Sequence, residues 1–359
     1  MIVTVDPATG TEIERFEYAS DAAVGTALDA AQHASKTFAA ASLEERAALL
    51  NAVAARLRAE RERLATVAVK EMGKPIVQAR AEIEKCAWSL EYFAGHGGAM
   101  LAPQTIESSA DRSYVAFRPL GTILAIMPWN FPYWQFFRAA APALMAGNAV
   151  LLKHADNTTR CALEIERVFR DAGALEGLCA TLLMSHEAVD ALIDDPRIAA
   201  VTLTGSERAG VAVGSAAGAA LKKCVLELGG SDAFVVLDDA DLEAAAKTAV
   251  TARFQNNGQS CIAAKRFIAV DAVYEEFLAR FTAIARNQVI GDPMDESVAL
   301  GPCARSDLRD ALDAQVRDTV SSGAHLALGG KCIERPGYYY EATVVTGVTP
   351  GMRMFDEEV

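Results

Sequence analysis

A chain of 359 residues with 34 Lys and Arg against 47 Asp and Glu carries a formal charge of -13, which opposes binding to phosphate backbones and anionic lipid and argues against nucleic acid and membrane partners. With 52% hydrophobic residues it is long and apolar enough to fold around two cores. Its seven cysteines form no C-x-x-C pair, and with five scattered His they offer no metal-ligand spacing, so they read as free thiols of a reducing cytoplasm.

The chain begins with Met1 to Val5, a short strand; no basic segment followed by an apolar run opens it, and no apolar stretch reaches bilayer length. Residues 21 to 100 are Ala-rich with apolar positions at helical spacing, broken at Ser42-Leu43-Glu44-Glu45, an N-cap with an acidic first turn, and at Gly73-Lys74-Pro75. They read as several packed helices, with Trp88, Tyr92 and Phe93 assigned to packing. From Ser113 the period changes. Ser113 to Phe117 alternates, and Gly121 to Met127 is a buried-strand run.

A helix from Tyr133 to Met145 stops at Gly147-Asn148, and strand Ala149 to Leu152 ends in Lys153. Helix Thr158 to Asp171, strand Ala180 to Leu183, a helix to Ile193, strand Ala199 to Leu203, a helix to Ala217 and strand Lys223 to Leu228 follow. Strands alternating with helices imply an α/β fold on a parallel sheet, with ligands at the carboxyl ends of its strands. Gly229-Gly230 marks a hinge. The expected division is a domain over 1–228, N-terminal helices included, and a second α/β domain over 229–359. Within the latter the pattern predicts strand Asp232 to Leu237, helix Asp241 to Phe254, strand Phe267 to Val270, a helix to Arg286, a helix over 304–322 and strand Tyr338 to Val345.

Four polar groups follow predicted strands: Asn130, Lys153, Ser206 and Glu227. Glu227, after Val225-Leu226, is expected to be partly desolvated and so suited to general-base work, against the reading of an exposed strand-end carboxylate. Asn130 lies on a stiff turn between Trp129 and Pro132, able to aim its amide at a developing oxyanion, or simply serving the turn. Thr204-Gly205-Ser206 opens a helix whose N–H groups favour a phosphate oxygen, and Lys153 could hold a ribose hydroxyl or a phosphate. No G-x-G-x-x-G fingerprint is present.

Asn256-Asn257-Gly258-Gln259-Ser260-Cys261 interrupts an apolar helix with residues that tolerate left-handed backbone, so the chain leaves its helix and presents the Cys261 thiol. A thiolate is the strongest nucleophile among ordinary side chains at neutral pH. A buried structural cysteine is the competing reading.

Together Pro128-Trp129-Asn130-Phe131-Pro132, Lys153 with Asp156, Leu203-Thr204-Gly205-Ser206, Glu227-Leu228-Gly229-Gly230, Gly258-Gln259-Ser260-Cys261 and Met354-Phe355-Asp356-Glu357-Glu358-Val359 resemble the aldehyde dehydrogenase superfamily in order and spacing, over essentially the whole chain. The resemblance implies a Rossmann-type cofactor domain and a catalytic domain. It implies that Cys261 attacks an aldehyde carbon, that Asn130 and the Cys261 N–H hold the oxyanion, and that Glu227 activates the hydrolytic water. It further implies a nicotinamide cofactor held by Lys153 and Asp156 at the adenosine ribose, Ser206 at the pyrophosphate and Glu358 at the nicotinamide ribose, with Trp129 and Gly205 also lining the cofactor.

Lys153-His154-Ala155 looks like the bacterial succinate-semialdehyde dehydrogenases, and Arg138 falls where such enzymes carry an arginine for the substrate carboxylate. An Arg in a structural ion pair is the competing reading. Where several relatives have a second arginine, this chain has Gln255, which can hydrogen-bond a carboxylate but adds no charge. Asp156 suits the free hydroxyls of NAD and would repel the extra phosphate of NADP, so NAD is the first choice and NADP is possible. Family members are homo-dimers or tetramers and continue past Glu-Glu-Val, whereas this sequence ends there. The expectation is a C-terminally incomplete catalytic domain with exposed apolar surface and an open sheet edge.

Overall fold

The structure is a computed structural model describing residues 1–359. In chain order its elements are strands β1 (Ile2–Asp6) and β2 (Thr11–Phe16), helices α1 (Asp21–Ala39), α2 (Leu43–Ala59), α3 (Arg61–Met72) and α4 (Ile76–Met100), and the two-residue strands β3 (Gln104–Thr105) and β4 (Tyr114–Val115). Then come β5 (Thr122–Met127), α5 (Trp134–Met145), β6 (Ala149–His154), α6 (Thr159–Asp171), β7 (Cys179–Thr181), α7 (Val189–Asp194), β8 (Ile198–Thr204), α8 (Glu207–Ala219) and β9 (Lys223–Glu227). The last part holds β10 (Ala233–Val236), α9 (Leu242–Phe254), β11 (Arg266–Ala269), α10 (Asp271–Arg286), α11 (Ser306–Ser321), β12 (His325–Leu328), β13 (Val344–Thr346) and α12 (Arg353–Asp356).

The chain divides into two compact units. Met1–Thr4, Glu14–Val67 and Arg80–Leu228 form the first; Val5–Ile13, Ala68–Ala79 and Gly229–Val359 form the second.

In the first unit β5 to β9 build a five-stranded sheet in the order β7-β6-β5-β8-β9, every pair parallel. The chain steps from β5 outward to β6 and β7 and returns to the other side of β5, so the strand order reverses at β5/β8. That is where open parallel sheets bind ligands. All six residues of β6 are buried, as a central strand covered on both faces requires. Phe136 and Phe137 of α5 and Phe169 of α6 form an aromatic cluster in this unit. Gly210 on α8 lets the helix lie close to the strand end: a Cβ there would fall 2.7 Å from Leu228 Cδ2. Helix α2 opens with the predicted cap, Ser42 Oγ accepting from Glu45 N and Glu45 Oε2 from Ser42 N.

In the second unit β10 and β11 pair in parallel, and Phe234, Phe267, Phe277 and Phe281 join Val236, Ala246, Ala249 and Val250 in a core with α9 and α10. Val235, Leu237, Ile268 and Val270 are exposed on the same ribbon. A cavity of about 480 Å³, lined by Arg253, Phe267, Phe277, Phe281 and Val344 among others, lies within this unit. The predicted strand Tyr338 to Val345 contracts to Val344–Thr346, because residues from Tyr338 are held by scattered loop bonds and a single bridge between Tyr340 and Cys332. Strand Ser113 to Phe117 likewise shortens to Tyr114–Val115, exposed and paired only with Gln104–Thr105. No helix is long and apolar enough to cross a membrane.

Candidate active site

Parallel register brings the strand-end residues of the first unit side by side. Ile126 on β5 lies opposite Lys153 on β6 and Leu203 on β8, and Thr204 on β8 lies opposite Glu227 on β9. The segments after these strands, Pro128 to Pro132, Ala155 to Thr158, Gly205-Ser206 and Leu228, therefore leave along one sheet edge.

The turn carrying Trp129 and Asn130 is held from both sides. The Asn130 Oδ1 accepts from Phe131 N at 3.1 Å, which sets the orientation of the amide. The buried Glu82 carboxylate accepts from Tyr133 N and Trp134 N, 2.8 Å each, and so caps the first turn of α5. His154, fully enclosed at the end of β6, reaches Pro132 O with Nε2 at 2.9 Å, while its Nδ1 accepts from Ala155 N and Thr158 Oγ1 at 2.8 Å each. One nitrogen faces an acceptor and the other faces donors, so the ring is neutral and has one tautomer.

Burial, followed by the nearby Lys153 charge, lowers the His154 pKa to about 4. The folded value lies below the unfolded 6.5, so below pH 6.5 protons bind the unfolded chain preferentially. The stabilisation is complete above pH 6.5 and is lost as the pH falls toward 4. Denaturant titrations across that window are expected to show a loss of order 3 kcal/mol in the native chain that His154→Gln does not show. Parallel curves for the two proteins would reject the neutral-histidine assignment.

Lys153, its side chain 2% exposed, meets Asp156 Oδ1 at 3.2 Å and His186 Nδ1 at 3.4 Å, and Tyr18 OH donates to Asp156 Oδ2 at 3.3 Å. Ammonium, carboxylate, phenol and imidazole together supply the donors and acceptors that vicinal hydroxyls require, and this set fits the ribose of a dinucleotide. No local sequence pattern marks Tyr18 or His186. They lie 138 and 30 residues from Asp156 and share no motif with it. Gly205 N donates to Glu227 O at 3.0 Å, and Ser206 Oγ caps α8 by accepting from Ala209 N at 3.3 Å, so a helix N-terminus opens where the phosphate-binding segment is expected.

One expectation needs correction. Glu227 is not partly desolvated: its side chain is 52% exposed, because β9 is the edge strand and Val225 and Leu226 beside it are exposed too. Arg138 is the group that meets it. Nη1 pairs with Glu227 Oε2 at 3.2 Å and Nη2 donates to Thr204 Oγ1 at 3.2 Å, so the arginine is engaged in an ion pair.

In the second unit the cysteine turn has the expected backbone. Asn256, Asn257 and Gly258 are consecutively left-handed, with φ of 56°, 58° and 73°. Two non-glycine residues in this region cost on the order of 1 kcal/mol each, and side-chain bonds hold them there. Asn257 Nδ2 donates to Gly73 O at 2.8 Å and Pro302 O at 2.9 Å, and its Oδ1 accepts from Gly301 N at 2.8 Å. Asn256 N donates to Gln78 Oε1, Asn256 Nδ2 to Gln259 O at 3.0 Å, and Ala304 N to Gln259 Oε1 at 3.0 Å.

Gln255 starts this turn half-buried, and Cys261 ends it half-buried. The other thiols are poorer nucleophiles. Cys86 and Cys161 are fully enclosed, and burial raises the pKa of Cys179, Cys224, Cys332 and Cys303, the last to about 12. Glu358 accepts from Lys265 Nζ at 2.5 Å. Lys265 stands four residues after the thiol and 93 before Glu358, and no local pattern marks it as the partner of that carboxylate.

The chain is similar to known proteins over its whole length. The profile of the aldehyde dehydrogenase family matches residues 1–359. A protein of Escherichia coli strain K12, named succinate semialdehyde dehydrogenase NAD(P)+, is 48% identical over 357 residues, covering 99% of this chain and 77% of its own length. A probable NADP(+) succinate-semialdehyde dehydrogenase of Synechocystis is 46% identical, with 99% and 79% covered. The solved succinic semialdehyde dehydrogenase of Streptococcus pyogenes, in complex with NADP+, superposes with a TM-score of 0.97 at 35% identity, covering 100% of this chain and 79% of that one. The chain thus spans a little over three quarters of these relatives, and it belongs to the aldehyde dehydrogenase family.

Proposed function

We propose that the protein oxidises succinate semialdehyde to the carboxylic acid with NAD, or NADP in its place, as acceptor, through a covalent intermediate on Cys261. The observation that carries this reading is the clamped left-handed turn Asn256-Asn257-Gly258, which presents Cys261 in a chain whose relatives are named succinate-semialdehyde dehydrogenases. In this reading residues 1–228 bind the cofactor and 229–359 carry the nucleophile. Lys153 and Asp156 take the adenosine ribose, Gly205 and Ser206 the pyrophosphate, and Glu358 the nicotinamide ribose, with Trp129 lining the same path. With the full-length chain present, the protein acts as a homo-dimer or tetramer in the cytoplasm.

The Cys261 thiolate forms a C–S bond to the aldehyde carbon, and the carbonyl electron pair moves to oxygen. The Asn130 amide and the Cys261 N–H support that oxyanion, which is worth about 3 to 4 kcal/mol for a well-placed donor. When bound, a nicotinamide would supply the oxidising power, taking the hydride that this carbon loses as the oxyanion re-forms its carbonyl and leaves a thioester on Cys261. Glu227 then takes a proton from water, the hydroxide adds to the thioester carbon, and the C–S bond breaks to return the thiolate.

Arg138 and Gln255 bind the substrate carboxylate in this reading. A second reading, an enzyme for uncharged aliphatic aldehydes, is favoured by the ion pair of Arg138 with Glu227, which already commits part of its charge. Steady-state rates with succinate semialdehyde and with butanal, in the native chain and in Arg138→Leu, separate the two. The first reading expects KM for succinate semialdehyde to rise about tenfold to a hundredfold in the variant, from loss of a charge-assisted bond of about 1.5–3 kcal/mol, with KM for butanal unchanged. Equal effects on both substrates would support the second.

A further inference from the structure

Lys265 lies between the nucleophile and β11, and its side chain is 2% exposed. A buried ammonium is costly unless each of its three N–H bonds finds an acceptor. Here all three do: Nζ donates to Gly230 O at 2.5 Å, to Cys261 O at 3.0 Å and to Glu358 Oε1 at 2.5 Å. The acceptors come from three separate stretches, namely the Gly229-Gly230 pair, the thiol-bearing residue itself and the side-chain carboxylate of Glu358.

Two further contacts tighten the same assembly. Arg253, on the last turn of α9, donates from Nη1 to Gly258 O at 3.1 Å and from Nη2 to Val359 O at 3.3 Å, tying the cysteine turn to the residue after Glu358. Gly229 packs directly on the carboxylate, since a Cβ at 229 would fall 1.9 Å from Glu358 Oε2. The Glu358 side chain is nonetheless 40% exposed, so a ligand can reach the carboxylate while the cation that holds it stays enclosed.

We infer that Lys265 is a positioning residue that couples the Cys261 turn to the Glu358 carboxylate, so that occupation of Glu358 by the coenzyme ribose is felt at the thiol. This rests on the proposed roles of Cys261 and Glu358. With all three N–H bonds of its Nζ taken by protein acceptors, Lys265 acts through the residues it joins.

The test uses the full chain and the variants Lys265→Met, Lys265→Arg and Gly229→Ala. Four quantities are read: the melting temperature, the NAD dissociation constant by fluorescence titration, the NAD KM against kcat, and the rate of Cys261 alkylation by iodoacetamide with and without NAD. In the native chain NAD is expected to change the alkylation rate severalfold. In Lys265→Met the dissociation constant and KM rise about tenfold, alkylation without NAD shifts severalfold, and the response to NAD disappears; Lys265→Arg restores part of each.

A Lys265→Met chain that only melts earlier, with native NAD affinity and alkylation, overturns the inference. So does a native chain whose alkylation ignores bound NAD. If Lys265→Met does not fold, Gly229→Ala decides, because it displaces the same carboxylate while leaving the lysine in place: a native NAD dissociation constant there also overturns it. Failure of the proposed function looks different, since the native chain itself would then reduce no NAD with aldehyde and its Cys261 would resist alkylation.

Discussion

Cys261→Ala is expected to lower aldehyde-dependent formation of reduced nicotinamide by at least about a thousandfold, the scale on which covalent catalysis fails when its nucleophile is removed. The loss should be one of chemistry and not of fold. Cys261 is half-buried at the end of a turn whose shape is set by Asn256, Asn257 and Gly258, and none of their side-chain bonds involves the thiol. Melting temperature and NAD affinity are therefore expected to stay near the native values. No other cysteine is placed to substitute, because Cys86 and Cys161 are enclosed and burial raises the pKa of Cys179, Cys224, Cys303 and Cys332. The measurement is absorbance of reduced nicotinamide with succinate semialdehyde, together with mass spectrometry of iodoacetamide-labelled peptides. A variant retaining a tenth of native turnover would remove Cys261 from the mechanism.

Glu227→Gln is expected to split the reaction. The first half needs the thiolate and an oxyanion site, while the second needs a base for water, so the variant should release a burst of about one reduced coenzyme per chain and then turn over about a hundredfold to ten-thousandfold more slowly. The structure makes this a clean substitution. Glu227 is half-exposed at the end of an edge strand, its main-chain carbonyl accepts from Gly205 N, and its carboxylate meets Arg138 at 3.2 Å. Gln keeps the side chain's shape and can still accept from Arg138, but it cannot take a proton. Rapid-mixing absorbance distinguishes the cases. Loss of the burst would place Glu227 in the first half-reaction, and a steady rate within threefold of native would show that another group activates the water.

Arg138 links these predictions to specificity. It pairs with Glu227 and Thr204 across 89 and 66 residues of sequence, so its charge serves the proposed base as well as any substrate carboxylate. Its substitution is thus best read from the difference between charged and uncharged aldehydes, since a change in Glu227 alone would affect both alike.

What the sequence determined by itself is local or periodic. The buried runs of β5, β6 and β8 announce central strands of a parallel sheet, because a strand covered on both faces has no polar alternation. Ser42 with Glu45 announces a helix start, and Asn256-Asn257-Gly258 a left-handed turn, because these residue types stabilise those backbone states whatever lies around them.

Tertiary structure alone decided the rest. Val225-Leu226-Glu227 reads as a buried strand end, yet β9 is the sheet edge and the carboxylate is exposed, which no local pattern records. Short β2 and β12 lack a long periodic run, and the residues from Tyr338 are held by loop bonds where alternation suggested a strand. Tyr18 at Asp156, His186 at Lys153, Arg138 at Glu227 and Lys265 at Glu358 are meetings of residues 30 or more apart in the chain. Charge and hydrogen-bonding capacity are properties of a residue, but the partner that answers them is chosen by chain topology, so it appears only once the fold has brought the two together.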